Sequence, residues 1–315
     1  MNNKKLYFFV ASVFALLSSQ AFACSSCGCT LNSDWSAQGL SVGEGTRFDI
    51  RYDFFKQSDY RHGSDSVSRR EVNERGEEVQ DKTINRNLLI GIDQSLNHAW
   101  AINLQLPVYN RSHTTYEDYD ARELMSSSSK GIGDLRVTAR YQGLQDDHTL
   151  GLVFGLKLPT GETNDKFKNS DEKVDRGLQL GTGTTDLILG VHKFGSLNRD
   201  FDYFVHATVQ VPLNSHDQFK PSSGLNTSVG LRYMGFENII PQLQLNSRIE
   251  TRESGAQSDR NNSGANLLYL SPGLTVPVSK SMQAYGFFQV PLYQRVNGYQ
   301  IEPDIFLSLG MRYHF

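Results

Sequence analysis

Three scarcities frame the 315-residue sequence. Cysteine occurs three times, at Cys24, Cys27 and Cys29, so no disulfide framework can staple the body of the chain. An excess of one charge is missing: 31 Lys plus Arg against 34 Asp plus Glu leave a net charge of −3. Binding to nucleic acid needs a basic stripe to neutralise phosphates, and this balance excludes such a partner. Long apolar runs are absent after residue 17, and the one early run, Leu6 to Leu17, falls well short of the ~20 residues of a spanning helix. With 38% apolar residues and a mean hydropathy of −0.44, a helical membrane protein is excluded as well. What the chain does have is 14 Tyr, 18 Phe and 27 Gly. A sequence polar on average yet rich in aromatics and strand formers fits a barrel whose strands show lipid on one face and water on the other.

The first residues predict export. Met1-Asn-Asn-Lys4-Lys5 is a basic start, the Leu6–Leu17 run follows, and Ala21-Phe22-Ala23 places small residues at −3 and −1 of a cleavage site. Residues 1–23 therefore read as a secretory signal peptide, and the mature chain begins at Cys24.

From residue 45 onward the text alternates with period two, the strand signature. Ile305, Leu307, Leu309, Met311, Tyr313 and Phe315 share one face of the last segment, and Ser308, Gly310, Arg312 and His314 share the other. About twelve such strands are predicted: roughly 45–57, 84–96, 98–109, 131–143, 147–158, 183–195, 200–213, 224–236, 239–252, 265–278, 281–293 and 303–315. Most are near the ~9–11 residues that a tilted strand needs to cross a bilayer. Connections alternate between tight turns and long polar stretches such as 58–83, 110–130 and 159–182. A soluble sandwich has no reason to sort its loops this way. Short periplasmic turns and long external loops do it naturally. The expected fold is a single antiparallel transmembrane β-barrel over 45–315, in the outer membrane of a Gram-negative bacterium, with both termini periplasmic.

Trp100, Tyr141, Phe236, Tyr313 and Phe315 fall at the turn-side strand ends, where an interfacial girdle belongs. A weak repeat, Gln105-Leu-Pro107, Lys157-Leu-Pro159, Gln210-Val-Pro212 and Gln289-Val-Pro291, is expected to end upward strands at the outer rim, where a missing N–H is tolerated. Charges facing lipid would cost up to ~2–4 kcal/mol each near the midplane, so the charged faces should look inward. Arg47, Asp49, Arg51, Arg136, Arg140, Arg232, Arg248, Glu250 and Arg312 are thus placed in the lumen. They read either as a mutually neutralising ladder or as a selectivity lining.

Three Gly-rich strand ends meet at the external mouth in this topology: Gly131-Ile-Gly-Asp134, Leu158-Pro-Thr-Gly161 and Gly181-Thr-Gly-Thr-Thr-Asp186. Their phase predicts an inward cluster of Asp134, Lys157 and Asp186. The glycines themselves read as positions of tight turning or close packing. The same order of motifs, with alternating strands up to a terminal Phe, resembles the outer-membrane transporter-like barrel family labelled for a meta-pathway of phenol degradation. The resemblance is good over roughly 131–315 and loose over 45–130. It implies passage of small compounds, aromatic ones included, and brings no catalytic residues.

Residues 24–44 form a separate periplasmic tail carrying Cys24, Cys27 and Cys29. Three close thiolates suit Cu(I) or Zn(II), a disulfide suits the oxidising periplasm equally, and lipidation of Cys24 is a third reading. In each case the tail is a candidate docking site for a periplasmic partner. Ser215-His216 are adjacent and point apart, so they do not make a hydrolytic pair. The expected function is passage of small solutes through a charged lumen. The alternatives are a scaffold for a periplasmic metal or redox partner and, further off, a lipid-acting enzyme.

Overall fold

The computed structural model describes residues 45–315; the expected signal peptide, the tail and its three cysteines lie outside the described residues. The chain runs through β1 (Gly45–Gly63), β2 (Asp65–Val67), α1 (Arg69–Glu74), β3 (Gln80–Ser95), β4 (Trp100–Asp118), β5 (Glu123–Ile132) and β6 (Leu135–Tyr141). It continues through β7 (Leu150–Leu158), β8 (Asp186–Ser196), β9 (Phe201–Pro212), β10 (Gly224–Tyr233), β11 (Ile240–Glu250), β12 (Ala265–Pro277) and β13 (Met282–His314). Neighbours in sequence pair antiparallel, and β13 closes on β1 with Arg47 opposite His314 and Asp53 opposite Ser308. β5 and β6 are two parts of one wall strand, interrupted at Gly133–Asp134. β13 folds back at Gly298 (φ 63°): its first arm pairs with β12, its second with β1. The wall is therefore a closed antiparallel barrel of twelve strands, with β2 a short addition to the edge of β1.

Alternation decides which side of the wall each residue meets. Ile102, Leu104, Phe154, Leu243, Leu245 and Leu309 are exposed large apolar residues on the outer face, a belt that only lipid can cover. At the turn-side rim the aromatics stack in pairs. Trp100 and Tyr141 have ring centroids 4.8 Å apart, Phe201 and Tyr233 5.2 Å, Tyr233 and Phe236 5.0 Å, and Tyr313 and Phe315 4.7 Å. The two chain ends of the barrel meet at this same rim, where the Phe315 N–H donates to the Thr46 carbonyl at 2.9 Å. Two of the turns share one chemistry. Asn97 Oδ1 accepts from the N–H groups of Ala99 and Trp100 at 2.9 Å, and Asn198 Oδ1 accepts from Asp200 and Phe201 at 2.9 and 3.0 Å.

The long connections depart from the sequence expectation. Much of 58–83 and 110–130 is strand, because β1 runs on to Gly63 and β4 and β5 form a hairpin rising to Asp118 and Glu123. Above the lipid neither face needs to be apolar, so the hydrophobic alternation vanishes while the backbone ladder continues. Two strand starts are later than expected. β7 begins at Leu150 because Asp147 Oδ1 accepts from both the N–H and the hydroxyl of Thr149, and β8 begins at Asp186 after a Thr-rich turn. Pro107 and Pro291 do not end strands. Pro107 lies opposite the β5–β6 break, and Pro291 lies at a register shift between β12 and β13, both places where the ladder is already interrupted.

The turn-side half of the interior is closely packed and polar. Arg47 and Arg140 both reach Asp93, at 2.9 and 3.1 Å, and Asn103 donates to the same carboxylate at 3.3 Å. All four side chains are buried. Removing the acid would leave two guanidiniums without it in the interior, so Asp93→Ala should destabilise the barrel by about 3–5 kcal/mol. Urea unfolding in detergent, followed by loss of the fast-migrating folded band, measures this. An unchanged midpoint would show that the Arg47–Asp93–Arg140 bridge contributes nothing to holding the wall.

Candidate functional site

Above the polar band the lumen opens into a cavity of about 240 Å3, roofed by loops. Three structural layers build it. The first is a latch at the junction of β6, β7 and β8. Lys157 Nζ lies 3.1 Å from Asp134 Oδ2 and 3.1 Å from Asp186 Oδ2, with all three side chains buried. The acids are also held by neutral donors. Asp134 accepts from the N–H of Gly161 (3.1 Å) and of Thr182 (3.0 Å), and Asp186 accepts from Thr184 Oγ1 (2.7 Å) and Gln210 Nε2 (2.6 Å). The loop of residues 159–185 is thereby pulled onto the inner wall. Gly161 and Gly181 permit the approach: a Cβ on Gly181 would come within 2.4 Å of the Gly161 carbonyl.

The second layer is that loop's own fold. Phe167, Val174 and Leu178 form a buried cluster against Met125 of β5, and the His113 ring lies 6.2 Å from that of Phe167. Arg111 of β4 donates through Nη1 to the carbonyls of Gly177 (3.4 Å) and Gln179 (3.5 Å). The Arg176 guanidinium sits 5.1 Å over the Phe219 ring, which brings the 213–223 loop under the same roof. These residues, together with Tyr109 and Phe219, were missed by the sequence reading. The signal was Phe167, Val174, Leu178 and Leu180 in a connection otherwise polar, which marks a loop folded inward.

The third layer is the charged wall expected from phase. Arg51 pairs with Asp53 at 3.0 Å, Arg312 with Asp49 at 3.4 Å, and Arg248 with Glu250. The Tyr285 hydroxyl donates to Asp49 at 2.9 Å, and Ser308 donates to Asp53 at 2.5 Å. Arg232 lies 5.8 Å over the ring of Phe204. Arg136 differs from these: it lines the cavity, is exposed there, and among the described residues makes no hydrogen bond or ion pair. On the opposite wall Phe55, Tyr269 and Phe306 form an apolar interior cluster, with Phe55 reaching the cavity. Among the described residues no group of three or more His, Cys, Asp or Glu side chains converges as a metal site.

A second cavity, of about 520 Å3, lies among the loops and is lined by Glu77, Glu78, Glu117, Glu172 and Asp175. Burial pushes the Asp175 carboxyl well above the usual carboxylate range, and Glu78, Asp259, Glu253 and Glu172 push it further. The neighbouring Arg176 is held below its ordinary value by burial, against the attraction of Asp217 and Glu253.

Two outcomes follow. Lys157→Met leaves Asp134 and Asp186 without their cation, and the 159–185 loop should come off the wall at a cost of about 3–5 kcal/mol. Limited proteolysis should then cut within 159–185 of the variant and spare the wild type; equal protection would remove the latch. For Asp175 the folded pKa is raised, so the folded roof binds more protons than an open one. Its stabilisation is complete below the ordinary carboxylate pKa and is lost as pH rises through the raised value. Hydrogen exchange in 159–185 should accordingly speed up from mildly acidic to neutral pH beyond its intrinsic dependence, and Asp175→Asn should flatten the change. The same profile in the variant would rule Asp175 out.

No protein-family model matches the chain, and no curated protein matches it. Solved structures do. An outer membrane channel from Pseudomonas putida F1 superposes with a TM-score of 0.66 at 15% identity, covering 90% of this chain and 99% of that one. The β domain of the Bordetella autotransporter BrkA superposes with a TM-score of 0.50 at 14% identity, covering 87% of this chain and all of that one. The likeness is one of fold: the chain is an outer-membrane β-barrel, and the barrel extends over essentially all of its described length.

Proposed function

We propose that this barrel passes small solutes across the outer membrane, and that the cavity above the polar band is where a solute pauses. The carrying observation is the cavity itself. Its volume of about 240 Å3 lies below the ~300–1,000 Å3 that encloses a drug-sized ligand and above the ~150 Å3 that suffices for benzene. A solute with one ring fits that space. Its wall is mixed, with Phe55, Tyr109 and Phe219 beside Arg51, Arg136 and Arg248, which suits a molecule with an apolar body and a polar group. The motifs around Asp134, Lys157 and Asp186 support the same reading through their resemblance to a transporter-like family labelled for phenol degradation. The barrel from Pseudomonas putida is itself described as a channel.

The 159–185 loop is fastened at both ends and in its middle, where the Lys168 N–H donates to the Ser126 carbonyl at 2.8 Å, so transport requires this roof to yield. Purified folded protein in a planar bilayer should give discrete current steps. Silence from a verified folded barrel, together with no swelling of loaded liposomes, would overturn passage.

A further inference from the structure

We propose that Arg136 is the anion-holding group of a lumen site for a small aromatic carboxylate. The inference deepens the reading of the lumen as a solute path and names the class of solute.

Register fixes where Arg136 points. It lies opposite Gln105 of β4 and Lys157 of β7, whose side chains are 7% and 4% exposed inside the barrel. Arg136 shares their face yet is exposed, because it meets the open cavity instead of packed side chains. The carboxylates near it are engaged elsewhere. Asp134, two residues away, accepts from Gly161, Thr182 and Lys157, and Asp186 accepts from Thr184, Gln210 and Lys157. An arginine facing a narrow space without an acceptor is left to water or to a ligand. Its planar fork matches a carboxylate in two parallel bonds.

The ring position follows from the next turn of the ladder. The Gly133 N–H donates to the Pro107 carbonyl at 2.8 Å, and the Tyr109 ring lies against Gly133, where a Cβ would come within 2.3 Å of it. Leu180 from the roof comes down on Gly131 in the same way, within 2.9 Å of a Cβ placed there. Pro107, Tyr109 and Leu180 thus present apolar surface to the same cavity that Arg136 lines. A carboxylate directly on a benzene ring spans the two parts.

The test uses the full folded barrel in detergent and ligand-detected NMR titrations with sodium benzoate, benzamide and acetate, against detergent alone. Benzoate should bind, with benzamide and acetate each weaker by about tenfold or more, because one lacks the charge and the other the ring. Arg136→Gln should weaken benzoate by about tenfold or more, and Arg136→Lys should fall between. The fast-migrating folded band of each variant is the check that it is folded. No benzoate binding by the wild type, or equal binding by Arg136→Gln, overturns the site. Binding in detergent needs no passage. A barrel that binds benzoate but shows neither current nor liposome swelling keeps the site and loses the transport reading. One that conducts but does not bind loses the site alone.

Discussion

Closure of the sheet is the constraint on which everything else depends. In lipid a backbone N–H or C=O without a partner costs several kcal/mol, so the wall can have no free edge. The pairing of β13 with β1 supplies the last ladder, from Arg47 and His314 at one end to His62 and Tyr299 at the other. Once the sheet is closed, each strand has one face in lipid and one in the lumen, and the period-two pattern is enforced over the membrane span. The outer belt, the aromatic rim and the inward charges are consequences of that single requirement.

Inside, the problem reverses. The inward face admits charge, but the lumen is too narrow to solvate it freely, so charges must be answered by one another. On the turn side this is done across strands: Asp93 of β3 joins Arg47 of β1 to Arg140 of β6. On the other side the same chemistry is given a second task. Asp134 and Asp186 share Lys157 and also accept backbone and hydroxyl donors from the 159–185 loop, so the ion pairs that settle the wall also anchor the roof.

The wall was legible in the sequence because lipid imposes a local rule that each residue must obey. Strand number, antiparallel order, the rim aromatics and the inward phase of Arg47, Arg140 and Lys157 all follow from it. The Asp134, Lys157 and Asp186 side chains could be brought together on paper because they sit next to strand ends whose phase was already known. The roof was not legible. Above the membrane no medium distinguishes the two faces, so the β4–β5 hairpin through Arg111, His113 and Thr115 reads as polar loop although its ladder is continuous. The packing of Phe167 on His113 and of Arg176 over Phe219 joins segments far apart in sequence through contacts that no periodicity encodes.

Arg136 shows how the two regimes meet. The rule that sets the wall turns it inward, as it turns Gln105 and Lys157 beside it. The rule that settles the interior would then pair it with an acid, and Asp134 lies only two residues away. The roof takes that acid instead, through Gly161 and Thr182. Holding the loop down and leaving Arg136 open are therefore one arrangement.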